Sequence, residues 1–316
     1  MLNSRIAAGL LGACVGDALG VPVKFTTRAE RTTDPVQEMR GYGTWKQPAG
    51  TWSDDGSLLL CLAESLCQGF DLDHIAQTFV QWHTQAHWSA RGIIFDIGTT
   101  TCYGLQRLQQ GASPTASGAS HQETCGSGAL MRTLPLAFHY FRHLNFPQLL
   151  QEIHQTSAIT HAHRRSQMAC GIYVSIALCL LEGASPSVAY QQGIKNVYPH
   201  YQAPPYAQEL IHFGRIWSGK VHTLPMTAIR SDGYVISTLE AALWCFLNHD
   251  SFAPAVLQAV NLGGDTDTTA AVTGGLAGIY YGLDGIARHW LQELARYDDI
   301  RRLAQRLEAA IFAYPA

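Results

Sequence analysis

A chain of 316 residues in which 47% of side chains are apolar and only 14% charged must bury much of its surface, which excludes general disorder. Its formal charge of -3 gives no basic field for gripping a phosphate backbone, so nucleic acid is not expected as a partner. Eight cysteines, at positions 14, 61, 67, 102, 125, 170, 179 and 245, include no CxxC pair and no zinc-type spacing; they read as reduced, mostly buried side chains of a cytoplasmic protein.

The first predicted element is an apolar helix. Arg5, the run 6–11 and Leu11-Gly12-Ala13-Cys14 imitate a lipoprotein leader, but the pattern continues through Gly16-Asp17-Ala18-Leu19-Gly20 into Pro22, as the first helix of a folded domain does. No stretch approaches about 20 uninterrupted apolar residues, so no membrane span is expected. Gly12, Gly16 and Gly20 recur every fourth residue, as do Gly274, Gly278 and Gly282 near the other end, which predicts two helices with small faces and close backbone approach. Residues 41–51 read as a Gly/Pro/Trp loop. Leu58, Leu62 and Leu66 then mark a helix that Gly69 closes, and Asp71 or Asp73 caps the next one, with Ile75 and Phe79 on its inner face.

Further along, Asp96 reads as a cap for the Thr-rich segment behind it, and residues 111–128 as a Ser/Ala/Thr/Gly loop. Met168, Ile172, Ile176 and Leu180 predict a long buried helix, residues 198–206 with three prolines a second loop, and Leu303 with Leu307 a last helix. Alternating patterns are scarce, and no linker or solenoid repeat interrupts the chain. The expected architecture is all-α, a single multi-helical domain over residues 1–316.

Two acidic clusters each precede a strongly apolar helical run. They are Ser53-Asp54-Asp55 and Gly263-Gly264-Asp265-Thr266-Asp267-Thr268-Thr269. Capping requires one Asp per helix start, whereas two beside a core are costly unless compensated. Carboxylate and hydroxyl oxygens without nearby Cys or His suit a hard cation such as Mg²⁺ or Mn²⁺. An EF-hand does not fit, because Leu276 falls where the bidentate Glu belongs. If the clusters meet, four carboxylates are enough for two ions roughly 4 Å apart, as in two-metal hydrolases.

Gly16-Asp17-Ala18-Leu19-Gly20, Thr51-Trp52-Ser53-Asp54-Asp55, Gly126-Ser127-Gly128-Ala129-Leu130-Met131-Arg132, Thr160-His161 and Asn261-Leu262-Gly263-Gly264-Asp265-Thr266-Asp267-Thr268 resemble the ADP-ribosylglycohydrolase family. The likeness runs from about residue 6 to 282 and leans toward the bacterial branch that includes the dinitrogenase-reductase-activating glycohydrolases. It implies an all-α bundle with a central dinuclear centre of two Mg²⁺, or Mn²⁺, that removes ADP-ribose from mono-ADP-ribosylated protein, with the arginine linkage favoured. By position the metal ligands are then Ser53, Asp54, Asp55, Asp265, Asp267 and Thr268. Asp96 matches the residue that deprotonates water. Gly126, Ser127 and Gly128 match a pyrophosphate loop, His161 faces the ribose, Tyr234 lies at the adenine end, and Gly263 and Gly264 belong to the substrate site.

The chain also departs from that pattern. Lys24 stands where several members carry a Glu, which places the base on Asp96; Gly56 and Ser53 replace threonines, and Ser127 an asparagine. The expected partners are an ADP-ribosylated protein or a small ADP-ribosyl substrate, with ADP-ribose as product, and the chain is expected to work as a monomer. The alternatives are a non-catalytic ADP-ribose binder or structural relative, a hydrolase of another small ADP-ribosyl compound and, from the metal chemistry alone, a two-metal phosphoesterase.

Overall fold

The computed structural model describes residues 2–141 and 145–313. Its helices in chain order are α1 (Leu2–Gly20), α2 (Arg28–Thr33), α3 (Asp54–Leu66), α4 (Leu72–Gln85), α5 (Thr99–Gln109), α6 (Pro114–Ser117), α7 (Pro135–Tyr140) and α8 (Phe146–Ala158). They continue with α9 (Arg164–Leu181), α10 (Pro186–Tyr201), α11 (Gly214–Trp217), α12 (Val235–Leu247), α13 (Phe252–Asn261), α14 (Thr266–Tyr281), α15 (Arg288–Glu293) and α16 (Tyr297–Ala313). Among the described residues there is no strand, only isolated bridges, two of which tie the loop before α7 to His161 and to Tyr234. The all-α expectation holds.

Helix α1 is apolar on every side, and such a helix belongs at the centre of a protein. Among the described residues it is the one helix long and apolar enough to cross a bilayer, and that whole stretch is enclosed by protein instead. Helix α14 lies against it at a distance only glycine permits. A Cβ on Gly16 would stand 2.1 Å from the carbonyl oxygen of Ala270, one on Gly12 2.4 Å from that of Gly274, and one on Gly278 2.1 Å from that of Ala8. The two glycine stripes therefore meet each other, in the close backbone approach that their spacing predicts. Gly282 is the exception: at φ +75° it ends α14 rather than packing in the crossing. At the other end Gly20 packs on the backbone of Asp267, which brings the last turn of α1 beside the first turn of α14.

Helix α9 flanks this pair, with the buried Tyr173 hydroxyl donating to the carbonyl of Val272 at 3.1 Å. Helix α16, polar on one face, closes the outside with Ile300, Leu303, Leu307 and Ile311 turned inward. Buried apolar residues from α1 through α16 form one continuous core. All eight cysteines are free thiols, with Cys67 and Cys102 partly exposed and the rest buried.

The loop expected at 198–206 begins later than its prolines suggest. Helix α10 runs to Tyr201 and contains Pro199. A proline in a last turn removes a single ladder bond, and burial of Tyr201, whose hydroxyl meets His154 Nε2 at 3.0 Å, outweighs that loss. Asp71 caps α4 as expected, accepting from the amides of Asp73 and His74.

Candidate active site

The α1/α14 crossing decides where the acidic residues go. Asp17, the one charged side chain of α1 after Arg5, points from the crossing toward the start of α3. Its carboxylate accepts from the Ser53 amide at 3.0 and 2.9 Å and from the Gly56 amide at 2.8 Å, while Ser53 Oγ accepts from the Asp55 amide at 3.2 Å. The exposed donors at the start of α3 are thus satisfied by Asp17 and Ser53. Asp54 and Asp55 are not needed as caps.

The start of α14 behaves alike. Asp265 occupies its N-cap position without a side-chain capping bond. Instead its carboxylate meets Ser127 Oγ at 3.1 Å and Thr268 Oγ1 at 3.2 Å, and Thr268 Oγ1 is also 3.2 Å from Asp55 Oδ2. Ser53 Oγ donates to the same Asp55 oxygen at 3.1 Å. The two acidic clusters do meet. Asp17, Asp55 and Asp267, all buried, each offer an oxygen within 4.8 Å of the others.

Compensation of these carboxylates is incomplete. Burial pushes Asp17, Asp55 and Asp265 above the ordinary carboxyl range and Asp54 up to about 7, and the neighbouring carboxylates reinforce it. Asp55 Oδ1 and Asp267 Oδ2 are buried without a hydrogen-bond partner. Two orphaned carboxylate oxygens in a hard-oxygen donor set fit a divalent cation.

One positive charge is already present. Lys24 Nζ lies 2.6 Å from Asp96 Oδ2, 3.0 Å from Asp267 Oδ1 and 3.1 Å from Asp265 Oδ1. Burial alone would lower the lysine, but Asp267, Asp265 and Asp96 outweigh it and hold the ammonium firmly protonated. Burial likewise raises Asp267, and there Lys24 and a hydrogen bond from Asp96 prevail, leaving it below its ordinary value. Asp96 takes the opposite share, pushed up to about 11 by burial and by Asp267. Asp96 is not the cap of the Thr-rich helix: Gly98 holds the N-cap position of α5 with no side-chain capping bond, and Asp96, at φ +62°, turns its carboxyl to Lys24.

Above the cluster opens a cleft of about 850 Å³. Its walls include Asp54, Asp96, Asp265, Thr268, Gly126, Ser127, Gly128, His161 and Gly264. Ser53, Asp55 and Asp267 lie beneath it. Gly128 must be glycine, since a Cβ would stand 2.8 Å from Thr101 Oγ1 and 2.9 Å from His161 Cε1. His161 is buried, which lowers it to about 3, so its ring is neutral. Thr160 Oγ1 accepts from Arg132 at 2.8 Å and meets His161 Nδ1 at 2.8 Å, while Nε2 of the same ring lies beside Gly126.

Two residues expected at the substrate site do not line this cleft. Tyr234 packs partly on the core and caps α12, while Asp232 and Gly233 from the same turn reach the wall. Gly263, at φ +75°, serves the turn into Gly264, and a Cβ there would stand 2.7 Å from the Arg28 amide nitrogen. Sequence reasoning missed Asp17 as a positioning residue, although a lone acid in an apolar helix is a signal in itself. Asp17→Ala leaves two buried amides unsatisfied and is expected to cost roughly 2–4 kcal/mol in denaturant unfolding; an unchanged midpoint would show that α3 is capped without it.

Comparison with known proteins follows the same geometry. The sequence model of the ADP-ribosylglycohydrolase family matches residues 1–315. The chain is 35% identical over 306 residues to ADP-ribosylarginine hydrolase Tri1 of Serratia proteamaculans (strain 568), which covers 96% of this chain and 78% of that protein. It is 30% identical over 298 residues to the ADP-ribosyl-(dinitrogen reductase) glycohydrolase of Rhodospirillum rubrum, covering 93% of this chain and 91% of that one. A solved structure described as an ADP-ribosylglycohydrolase-related protein complex superposes with a TM-score of 0.81 at 32% identity, over 98% of this chain and 99% of that one.

Proposed function

The chain belongs to the ADP-ribosylglycohydrolase family and is a glycohydrolase, and from that premise we propose that it cleaves ADP-ribose from an arginine side chain of a modified protein with the help of divalent cations. The observation that carries the cation part is the pair of buried, unpartnered carboxylate oxygens on Asp55 and Asp267 beneath a cleft. A cleft of about 850 Å³ falls within the roughly 300–1,000 Å³ usual for small-molecule sites. The arginine linkage is favoured because the relatives at 35% and 32% identity are named ADP-ribosylarginine hydrolases.

Ser53, Asp54, Asp55, Asp265, Asp267 and Thr268 are the proposed ligands, and their oxygen chemistry suits Mg²⁺ or Mn²⁺. Bound there, such a cation supplies positive charge that orients the ribose hydroxyls and a water. The four carboxylates among these ligands are donors enough for two ions.

The chain's own residues supply the rest. Residues 126–128 are small enough for the pyrophosphate to approach their backbone, and Ser127 links that loop to Asp265. His161 offers Nε2–H to the ribose end as a neutral donor. Asp96 is the proposed acceptor of the attacking water's proton; the charge of a cation held beside it would lower its raised value and free the carboxylate to accept. Water then adds at the anomeric carbon through an oxocarbenium-like state, the glycosidic bond to nitrogen breaks, and the guanidine leaves with the proton that Asp96 took from the water. At the lip, Phe25 and Trp45 stand edge to face with ring centres 6.3 Å apart, aromatic faces on which a planar guanidinium stacks.

The test is turnover of ADP-ribosyl-arginine with Mg²⁺ or Mn²⁺. Intact ADP-ribose and free arginine are expected, with activity lost on chelation and restored by the metal. Release of AMP would select phosphoester chemistry, and full activity in chelator would remove the cation from the mechanism.

A further inference from the structure

We propose that the ammonium of Lys24 permanently fills one cation position of the acidic cluster, so that the chain binds one divalent ion and not two. This rests on the cation reading of the same site. Three observations carry it. The ammonium is enclosed by three carboxylates at 2.6, 3.0 and 3.1 Å, with the side chain only 7% exposed, so it sits inside the cluster and not at its rim. The oxygens it engages, Asp265 Oδ1 and Asp267 Oδ1, belong to the α14 half of the proposed ligand set, whereas Asp55 Oδ1 and Asp267 Oδ2 are left unpartnered in residues that, with Asp17, each offer an oxygen within 4.8 Å of the others. One half of the cluster is compensated and the other is not.

The third observation is how the lysine is held. Its backbone follows a tight turn at Val21–Val23, its carbonyl accepts from Thr44 Oγ1 at 2.9 Å, and the next amide, of Phe25, donates to the Gly264 carbonyl at 2.8 Å. The tether is fixed at both ends, and withdrawal of the ammonium would strip Asp267 and Asp265 of their ion pairs in a nearly dry site. Charge arithmetic points the same way: exchanging an ammonium for a carboxylate at position 24 changes the local charge by two units, the charge of one divalent ion. A lysine here therefore takes the place of an ion that an acidic residue would help to hold.

The experiment counts ions. Purified full-length chain is stripped by chelation, saturated with Mn²⁺ and desalted, and manganese per chain is measured by elemental analysis, with the electron paramagnetic resonance spectrum recorded on the same sample. The wild-type chain is expected to hold one Mn²⁺ with an uncoupled six-line signal. Lys24→Glu is expected to hold two with the broadened signal of an exchange-coupled pair. Lys24→Gln, which keeps the side-chain bulk without charge, guards against misfolding of the Glu variant and is expected to take up a second, weaker ion. Two ions in the wild-type chain, or one ion in both folded variants at saturation, overturns the proposal while the cation-dependent reaction stands. No ion in any of the three removes the cation reading and the proposal together.

Discussion

Asp267→Ala is expected to abolish turnover, by at least about a thousandfold, equivalent to roughly 4 kcal/mol of transition-state stabilisation. Asp267 is fully buried and central: one oxygen meets Lys24 and accepts from the Thr268 amide at 2.8 Å, and the other has no partner. No other carboxylate in the cluster faces Lys24 while also lying within reach of Asp17 and Asp55. Removing it should therefore cost cation binding as well as activity. Folding should survive, because Lys24 retains Asp96 and Asp265, so circular dichroism should be unchanged while manganese uptake falls. Asp267→Asn separates charge from shape, since it keeps the volume and is expected to lose turnover nearly as fully. Wild-type rates in either variant would place the chemistry outside this cluster.

Gly16→Ala is expected to give the largest loss of stability among single-methyl changes. In an ordinary helix interior this substitution gains about 1 kcal/mol, because alanine is the better helix former. Here the added Cβ lies 2.1 Å from the Ala270 carbonyl oxygen and 2.9 Å from the Ala271 amide nitrogen, both backbone atoms of the facing helix. Neither can rotate away. The helices must separate, opening the most tightly packed crossing in the core, and overpacking of this kind costs about 1–3 kcal/mol or more. We expect a net loss near the top of that range in denaturant unfolding, and a loss of activity beyond it, because the same crossing sets Asp17 against Asp267. A variant as stable as the wild type would show that α1 and α14 slide apart freely.

Much of the helical framework was legible because apolar repeats of three to four residues survive in the sequence whatever surrounds them. The two glycine stripes could be read as packing devices, though not as one another's partner; only the fold shows Gly12 against Gly274 and Gly16 against Ala270. At the acidic clusters, sequence left capping and cation binding both open. The structure assigns capping of α3 to Ser53 and to Asp17, a residue 36 positions upstream of Ser53. Local pattern cannot reveal such a long-range acceptor. Lys24 was visible as a departure, but its three carboxylate partners come from the segment before α5 and from the start of α14. Pro199 misled because a proline near a helix end costs little, and sequence alone does not mark where an end falls.

The enclosure of α1 has a further consequence during synthesis. The helix with the length and apolarity of a span leaves the ribosome well before the helix whose small face matches it. At typical elongation rates of about 5–20 residues per second, the interval between them is on the order of tens of seconds. For that time the nascent chain displays a segment with the length and apolarity of a bilayer span and without its natural mate. Chaperones and targeting factors that read exposed apolar helices therefore have a window on this protein that closes only when α14 docks.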